Sequence, residues 1–219
     1  MARKVALVTG SSKRIGAAIA TRLSEQGYTV WIHFNRSKDE ALALMLKLEG
    51  HIVQADLSDA SEASLLIPHI LKSSGRLDVL VNNAASFYSD EEIEEDPELD
   101  DIQRKINLES PTQLMEQYGE WVLQDDTRHG HIINLLDQAT ETGNPTHTAY
   151  IELKKELATA TYDKSIELGP QLKVIGISPG HVLDPVAGQQ LMTAIDVEAN
   201  LKEITDQVLE ILKPFKSKK

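Results

Sequence analysis

The hydrophobic residues of this chain fall into short apolar runs that alternate with longer stretches of mixed polarity. Short runs bounded by polar residues are typical of strands that are buried on both faces of a sheet. We predict six such strands, over Val5–Thr9, Thr29–Phe34, His51–Gln54, Val79–Val81, His131–Leu136 and Leu172–Ile177. Between and after them, apolar residues recur at helical spacing. We predict helices over Ile15–Gln26, Lys38–Leu48, Ala60–Leu71, Ile102–Val122, His147–Leu168 and Val197–Leu212.

The alternation of strands and helices predicts the overall class of fold. Each strand–helix–strand unit forms a crossover between parallel strands, and the helices then cover both faces of the sheet. We therefore expect an α/β protein with a doubly wound parallel sheet of Rossmann type, built in three layers of helix, sheet and helix. The chain shows no internal repeat and no flexible linker, so we expect residues 1–219 to form a single domain.

Composition excludes several classes of function. The 219 residues include 22 basic and 34 acidic side chains, a net charge of −12, which argues against nucleic acid as the main partner. The absence of cysteine excludes a disulfide framework, a thiolate zinc site and a cysteine nucleophile, and it fits a cytoplasmic protein. Seven histidines are present without the spacing of metal ligands, so we expect no structural metal.

Hydropathy predicts no membrane partner. No apolar stretch approaches the roughly 18 residues of a membrane-spanning helix. The first predicted strand begins at Val5, which leaves no room for a signal peptide. The most polar segment is residues 89–101, with nine acidic side chains among 13, and we predict a solvated loop or an exposed helix start there.

The turn after the first strand carries the first functional pattern. Gly10 ends the strand and Gly16 begins the next helix, with Arg14 and Ile15 between them. Glycines at these points permit a tight turn and close helix packing, so that a helix N-terminus faces a pyrophosphate. The pattern predicts a dinucleotide site, although two glycines also suit an ordinary strand-to-helix turn. Arg14 stands where many dinucleotide folds keep glycine, and it can reach a phosphate on the adenosine ribose.

The end of the second strand predicts which dinucleotide binds. An NAD-specific fold places Asp or Glu there to bind the ribose hydroxyls. Here the residues are Asn35, Arg36 and Ser37, which offer charge and a hydroxyl to a 2′-phosphate, and we expect NADP(H). The alternative is a surface arginine followed by a helix-capping serine.

The ends of the third and fourth strands supply further candidates for the cofactor site. Asp56 and Leu57 follow the third strand, where the carboxylate can accept from an adenine amino group or close a turn. Asn83 and Ala84 follow the fourth strand and are expected beside the cofactor, although asparagine is also a common turn residue.

Tyr150 and Lys154 are four residues apart on a predicted helix, so both project from one face. A tyrosine, with an ordinary pKa near 10, is a poor acid or base at pH 7 unless a cation stabilises its phenolate. The pair follows the glycine turn, Asn83 and Asn107 in sequence and precedes Pro179. This order resembles the short-chain dehydrogenase/reductase family from residue 3 to about residue 182, which implies cofactor contacts from Tyr150, Lys154, Pro179 and Gly180.

Asp137 narrows the resemblance. It lies 13 residues before Tyr150, where most family members have a serine. An aspartate there, together with the segments 9–14, 33–37 and 82–88, resembles the pteridine reductases, which are NADPH enzymes that reduce dihydropterins and dihydrofolate. The resemblance implies a pterin sandwiched between Phe87 and the nicotinamide, with Ser86 and Arg14 near the substrate.

The same resemblance implies roles for the polar residues of the site. Asp137 and Tyr150 are expected in the proton path, and Lys154 is expected to hold the nicotinamide ribose and lower the Tyr150 pKa. Asn107 is expected to hold a water that connects the lysine to solvent.

Two departures from the family pattern leave other hypotheses open. Ala85 replaces a usual serine, and the expected seventh strand is missing after the last predicted helix.

The resemblance implies a homo-oligomer, a dimer or tetramer, with Ile102–Val122 and His147–Leu168 as interface candidates. The leading hypothesis is an NADPH-dependent pteridine reductase acting on a small-molecule substrate. The alternatives are a short-chain reductase for another carbonyl or imine, and a catalytically silent NADP-binding sensor.

Overall fold

The computed structural model describes residues 3–179 and 194–213. Within them, six parallel strands form one sheet in the order β3-β2-β1-β4-β5-β6. The expected α/β fold of Rossmann type, with six strands, is confirmed. The strands are β1 Val5–Val8, β2 Thr29–Phe34, β3 His51–Gln54, β4 Val79–Asn82, β5 Gly130–Leu135 and β6 Leu172–Ile177.

Helices connect and cover the strands. They are α1 Arg14–Glu25, α2 Lys38–Leu48, α3 Ala60–Ser74, α4 Asp90–Glu95, α5 Glu98–Arg104, α6 Ser110–Leu123, α7 Ala139–Thr142, α8 Thr148–Glu167 and α9 Ala194–Ile211. A π-helical turn, Lys105–Glu109, joins α5 to α6. The helix predicted over Ile102–Val122 is confirmed as a helical stretch, which runs from α5 through the π-helical turn into α6.

The apolar runs divide their side chains between the two faces of the sheet. On β1, Val5 and Leu7 belong to one hydrophobic cluster, whereas Ala6 and Val8 belong to the other. Successive side chains of a strand point to opposite faces, so a strand with helices on both sides needs an apolar residue at every position. This explains why all four residues of β1 are buried.

The strand order fixes the position of the ligand crevice. From β1 the chain winds one way to β2 and β3, and from β4 it winds the other way to β5 and β6. The carboxyl ends of β1 and β4 therefore border a switch point, which is where open α/β sheets bind ligands. The amide of Thr9 donates to the carbonyl of Val81 at 2.9 Å and joins the two strand ends.

The acidic segment is exposed, as predicted, and it forms α4 and α5. Ser89 and Glu92 make a capping box at the start of α4, which satisfies amide groups that the helix leaves unpaired. Within the described residues, no helix has the length and apolarity to cross a bilayer. The same residues contain no group of three or more His, Asp or Glu side chains placed to hold a metal ion.

Candidate active site

The turn between β1 and α1 is built so tightly that only glycine fits. Gly10 has a φ of +61°, and a Cβ atom there would lie 2.9 Å from the Ala84 Cα. A Cβ atom on Gly16 would lie 2.6 Å from both the Gly10 carbonyl oxygen and the Asn83 side-chain nitrogen. These glycines therefore allow the turn, the start of α1 and the end of β4 to approach one another.

The start of α1 is suited to an anion. No side chain caps its first turn, whereas the Asp59 carboxylate caps α3 by accepting from the amides of Ser61 and Glu62. Uncapped amides and the helix dipole together favour a phosphate group. Arg14 begins the helix with an exposed side chain and a φ of +53°, an unusual conformation for a residue other than glycine. The residues at this turn therefore fit a dinucleotide pyrophosphate.

A buried histidine on β2, His33, contacts the glycine turn between β1 and α1. The sequence analysis gave this residue no role. The amide of Gly10 donates to His33 Nδ1 at 2.9 Å, so the other ring nitrogen carries the proton and donates to the Ala55 carbonyl at 3.1 Å. Burial lowers the pKa of His33 to about 4. The imidazole is therefore neutral at pH 7 and holds the glycine turn as an acceptor.

We expect the free energy of unfolding to decrease as pH falls from about 6.5 to about 4. In this range His33 binds a proton in the unfolded chain but stays neutral in the folded chain. A shift of this size corresponds to roughly 3 kcal/mol of unfolding free energy from His33 alone. Urea unfolding at several pH values would measure it. His33→Asn should flatten this dependence, whereas His51→Gln, at an exposed position, should leave it unchanged. If the unfolding free energy depended on pH equally in the native protein and in both variants, His33 would not be the residue responsible.

The end of β2 presents the residues that were predicted to select the cofactor. Arg36 is exposed and Ser37 is half-buried, next to the carboxyl end of β3. The Asp56 carboxylate accepts from the amide and hydroxyl of Ser58, and these bonds, together with the nearby Asn35 and Arg36, hold its pKa below its usual range. Asp56 therefore closes a turn, in agreement with the structural alternative, at the carboxyl ends of the strands.

The other cofactor candidates contact the core or the glycine turn. Leu57 belongs to one hydrophobic cluster and Ile15 packs against the other. The Asn83 side chain donates to the carbonyls of Thr9 and Gly10, at 2.8 and 3.2 Å, so it ties β4 to the glycine turn. Pro179 follows β6 at the same edge of the sheet, and Gly180 lies outside the described residues.

Tyr150 and Asp137 meet at the carboxyl end of β5. The Tyr150 hydroxyl donates to Asp137 Oδ2 at 2.9 Å, and the Ala139 amide donates to Oδ1 at 2.8 Å. Tyr150 is buried, and burial together with the Asp137 charge and hydrogen bond raises its pKa above the ordinary value. The phenol is therefore protonated at neutral pH.

Lys154 lies one turn further along α8 and is fully enclosed. Its ammonium donates to the Leu135 carbonyl at 2.9 Å and lies 5.7 Å from the centre of the Tyr150 ring. Burial lowers the Lys154 pKa to about 8. The expectation that Lys154 lowers the Tyr150 pKa is not met in the chain alone, because burial and Asp137 act in the opposite direction.

The Phe87 ring is half-exposed beside this pair. It lies nearly perpendicular to the Tyr150 ring, with ring centres 4.7 Å apart, and one of its faces stacks on His147 at 3.9 Å with an angle of 10° between the planes. The resemblance predicted Phe87 but not His147, which precedes Tyr150 by three residues at the start of α8. Spacing on the helix was the only signal in the sequence that could have pointed to it.

The loop that carries Phe87 is fixed by residues from two other elements, α5 and the π-helical turn. The Asn107 side chain accepts from the Ser86 amide at 3.1 Å and donates to the Ser86 carbonyl at 2.8 Å. Gln103 accepts from the Tyr88 amide at 2.7 Å. Asn107 lies in the π-helical turn, a feature that is frequent at functional sites. The Ser86 hydroxyl is buried and has no hydrogen-bond partner among the described residues, so it remains available to a ligand.

Asp90 fixes the far end of the same loop. Its carboxylate accepts from the amide and hydroxyl of Thr148, at 3.0 and 2.9 Å, and from the Ala149 amide at 3.3 Å. An acidic residue from the exposed segment thus caps α8, the helix that carries Tyr150. No pattern in the sequence indicates this contact, because the partners are 58 residues apart.

A small cavity connects two of the predicted catalytic residues. It has a volume of about 10 Å³, and Asn107, Lys154 and Asn82 contribute to its lining. A cavity of this size with several polar groups in its lining accommodates one ordered water. The expectation that Asn107 holds a water that connects Lys154 to solvent is compatible with this geometry and stays a prediction.

Comparison with known proteins places the chain among oxidoreductases. The family model for short chain dehydrogenases matches residues 4–194. The chain is 32% identical over 187 residues to the 3-oxoacyl-[acyl-carrier-protein] reductase FabG of Staphylococcus aureus strain Mu50, covering 82% of this chain and 75% of that protein. It is 33% identical to pteridine reductase 1 of Leishmania tarentolae, covering 80% of this chain and 75% of that protein.

A solved structure is similar throughout most of the fold. It is the crystal structure of FolM alternative dihydrofolate reductase 1 from Brucella suis in complex with NADP. The TM-score is 0.75 and the identity is 32%, with 83% of this chain and 76% of that chain covered.

Proposed function

The chain belongs to the short-chain dehydrogenase family, and within it we propose a cytoplasmic NADPH-dependent reductase that transfers hydride to a C=N bond of a pterin or dihydrofolate-like substrate. The observation that carries this proposal is the hydrogen bond from the Tyr150 hydroxyl to the Asp137 carboxylate, with the Phe87 ring against Tyr150. It combines a proton donor with an aromatic surface suited to a flat heterocycle.

The cofactor assignment rests on the turn and on the end of β2. The uncapped start of α1 offers amides to a pyrophosphate, and Arg36 and Ser37 occupy the positions where an NAD-specific fold keeps a carboxylate. The Brucella suis protein of similar structure binds NADP, which supports the same choice here. When bound, NADPH supplies the hydride that adds to the substrate carbon.

The residues of this chain supply the proton. As the carbon of the C=N bond accepts hydride, the nitrogen gains an electron pair and takes the proton of the Tyr150 phenol. Asp137 is partly accessible, so its hydrogen bond to Tyr150 both orients the phenol and connects it to protons from solvent. The buried Lys154 ammonium offsets the negative charge that develops on the phenol oxygen.

The NADPH assignment predicts the effect of removing Arg36. We expect Arg36→Ala to weaken NADPH binding by about tenfold or more, since a charge-assisted bond to phosphate is worth roughly 1.5–3 kcal/mol, and to leave NADH binding nearly unchanged. Titration of both cofactors would measure the ratio. Arg104→Ala, an exposed arginine on α5, serves as the matched control. An unchanged NADPH/NADH ratio in Arg36→Ala would place the specificity elsewhere.

A carbonyl substrate is the second candidate, and the identity to the Staphylococcus aureus reductase favours it. Asp137 argues for the pterin proposal, because most family members hold a carbonyl oxygen with a serine at this position. A negatively charged carboxylate repels the oxyanion that develops when a carbonyl is reduced, whereas it can orient a donor toward a nitrogen.

The direct test is NADPH oxidation at 340 nm with dihydrobiopterin or dihydrofolate, with NADH in parallel. Turnover with NADPH and either substrate is the expected result. If neither substrate is reduced while NADPH still binds, the proposal fails and a library of β-ketoesters and cyclic imines would test the carbonyl or imine alternative. Binding without turnover of any of these compounds would favour the NADP-binding sensor.

We also propose that the chain forms a homo-oligomer, a dimer or tetramer, through the outer faces of α6 and α8. Tyr162 and Ile166 lie one turn apart on α8 and are 67% and 66% exposed, and Leu123 at the end of α6 is 48% exposed. We expect Ile166→Glu to reduce the mass measured by sedimentation. Leu46→Glu, on α2 and 74% exposed, should not. An equal mass for all three proteins at every concentration would contradict this interface.

A further inference from the structure

A second cleft lies at the opposite edge of the sheet from the proposed reaction site. It has a volume of about 460 Å³ and forms where β1, β4 and β5 begin, next to Lys4, Asp78 and His131. Because the strands are parallel, this edge is separated from Gly10 and Asp137 by the length of the sheet. We call it the basal cleft. Its size falls within the range of about 300–1,000 Å³ that is usual for small-ligand sites.

The charge of the basal cleft opposes that of the chain as a whole. Among the described residues that line the cleft, Lys4, Arg76 and Arg128 contribute three cations and Asp78 one carboxylate, in a chain of net charge −12. The Asp78 carboxylate is already engaged, because it accepts from the Val5 amide at 2.8 Å and binds the Arg76 guanidinium through both oxygens. The remaining charge in the cleft is therefore positive.

The two cations that do not bind Asp78 are held against aromatic rings. The Arg128 guanidinium lies 4.2 Å from the centre of the Trp121 ring, and the Lys4 ammonium lies 5.9 Å from the centre of the Tyr28 ring. Arg128 also donates to the Trp121 carbonyl and lies 3.6 Å from the exposed Asp125 carboxylate. A guanidinium has five donors, so these contacts orient Arg128 without exhausting it.

The pKa of His131 reflects both its burial and the positive charges near the same cleft. It is partly buried, and burial followed by the charges of Lys173 and Lys4 lowers its pKa to about 4, against a smaller opposing effect of Asp78. The imidazole is therefore neutral at pH 7 and can donate one hydrogen bond. His129 lines the cleft beside it and adds a second imidazole.

We propose that the basal cleft binds a small organic anion, a carboxylate or phosphate attached to a ring or a short apolar group. Lys4 and Arg128 would attract the anionic group, His131 would donate to it, and the rings of Trp121 and Tyr28 would contact the apolar part. The limited size of the cleft and the acidity of the chain as a whole favour a small ligand over a polyanion.

Calorimetric titration of the NADP-saturated protein tests the proposal, because the saturated cofactor site cannot take up the probe. The probes are benzoate, phenyl phosphate and inorganic phosphate, each at low ionic strength. We expect saturable binding of benzoate or phenyl phosphate, tighter than that of inorganic phosphate. Binding of phenyl phosphate alone would identify a phosphate ester as the ligand class, and binding of both aromatic probes would identify a general anion site.

Two variants distinguish the basal cleft from other cationic surface. Lys4→Met and His131→Gln should each raise the Kd of the probe by about fivefold or more. Lys47→Met, which replaces an exposed lysine on α2, should leave that Kd unchanged. None of the three should change the Kd of NADPH. Absence of saturable binding in the native protein, or equal affinity in the native protein and both cleft variants, would overturn the proposal.

Discussion

Tyr150→Phe is expected to lower kcat for pterin reduction by about 10²–10⁴-fold, the contribution of a positioned general acid. The phenylalanine ring keeps the buried shape of Tyr150 and its edge contact with Phe87, and it removes only the hydroxyl that donates to Asp137. Because burial and Asp137 keep the phenol protonated at neutral pH, the loss removes a proton that is ready for transfer. Steady-state kinetics with NADPH and dihydrobiopterin would measure it.

The same variant should leave the NADPH Kd within about threefold of the native value, since the pyrophosphate and 2′-phosphate contacts we propose lie elsewhere. Tyr162→Phe is the matched control, because Tyr162 lies on the same helix and phenylalanine keeps the ring that we place in the proposed subunit interface. It should be fully active. Native activity in Tyr150→Phe would refute the assignment of this residue as the proton donor.

Asp137→Asn is expected to lower pterin reduction by about 10²-fold while the fold is retained. The amide keeps an oxygen that can accept from the Ala139 amide, and its size is unchanged. It loses the charge that orients the Tyr150 hydroxyl, and it cannot exchange a proton with it as a carboxylate does. The measurement is kcat against pH, with the NADPH Kd as the check on the cofactor site.

Asp125→Asn provides the matched control for this substitution. Asp125 also accepts from a local amide and hydroxyl, those of Thr127, but it lies in an exposed turn near the basal cleft. Its replacement should leave kcat unchanged. If Asp137→Asn left kcat unchanged, the carboxylate would serve only to start α7.

Asp137→Ser separates the two substrate classes. With a pterin as the native substrate, the serine variant should lose activity toward it, because the short hydroxyl does not restore the bond to Tyr150. With a carbonyl as the native substrate, the serine variant should retain or gain activity, since a hydroxyl can hold the carbonyl oxygen. The direction of the change therefore tests the proposed function independently of its size.

The sequence predicted the strands and helices well, because their signals are local. Buried strands are apolar at nearly every position and helices at every third or fourth, and β2, β3, β6 and α2 were predicted to the residue. The expectation that β3 is buried on both faces is wrong, because β3 is an edge strand that exposes His51 and Gln54. The helix expected over Ile102–Val122 contains the π-helical turn, which no periodicity marks. The spacing of Gly10 and Gly16 also predicted the glycine turn, although part of what requires these glycines is the close approach of Ala84 and Asn83 at the end of β4.

The tertiary structure alone decided which distant side chains support those motifs. His33 beneath the Gly10 amide, Asp90 at the start of α8 and His147 on the face of Phe87 all depend on how separate elements pack. It also decided the direction of the Tyr150 pKa, which Lys154 was expected to lower and which burial and Asp137 raise. Spacing in a sequence fixes which residues share a strand or helix, whereas desolvation and long-range contacts depend on the three-dimensional distance between elements.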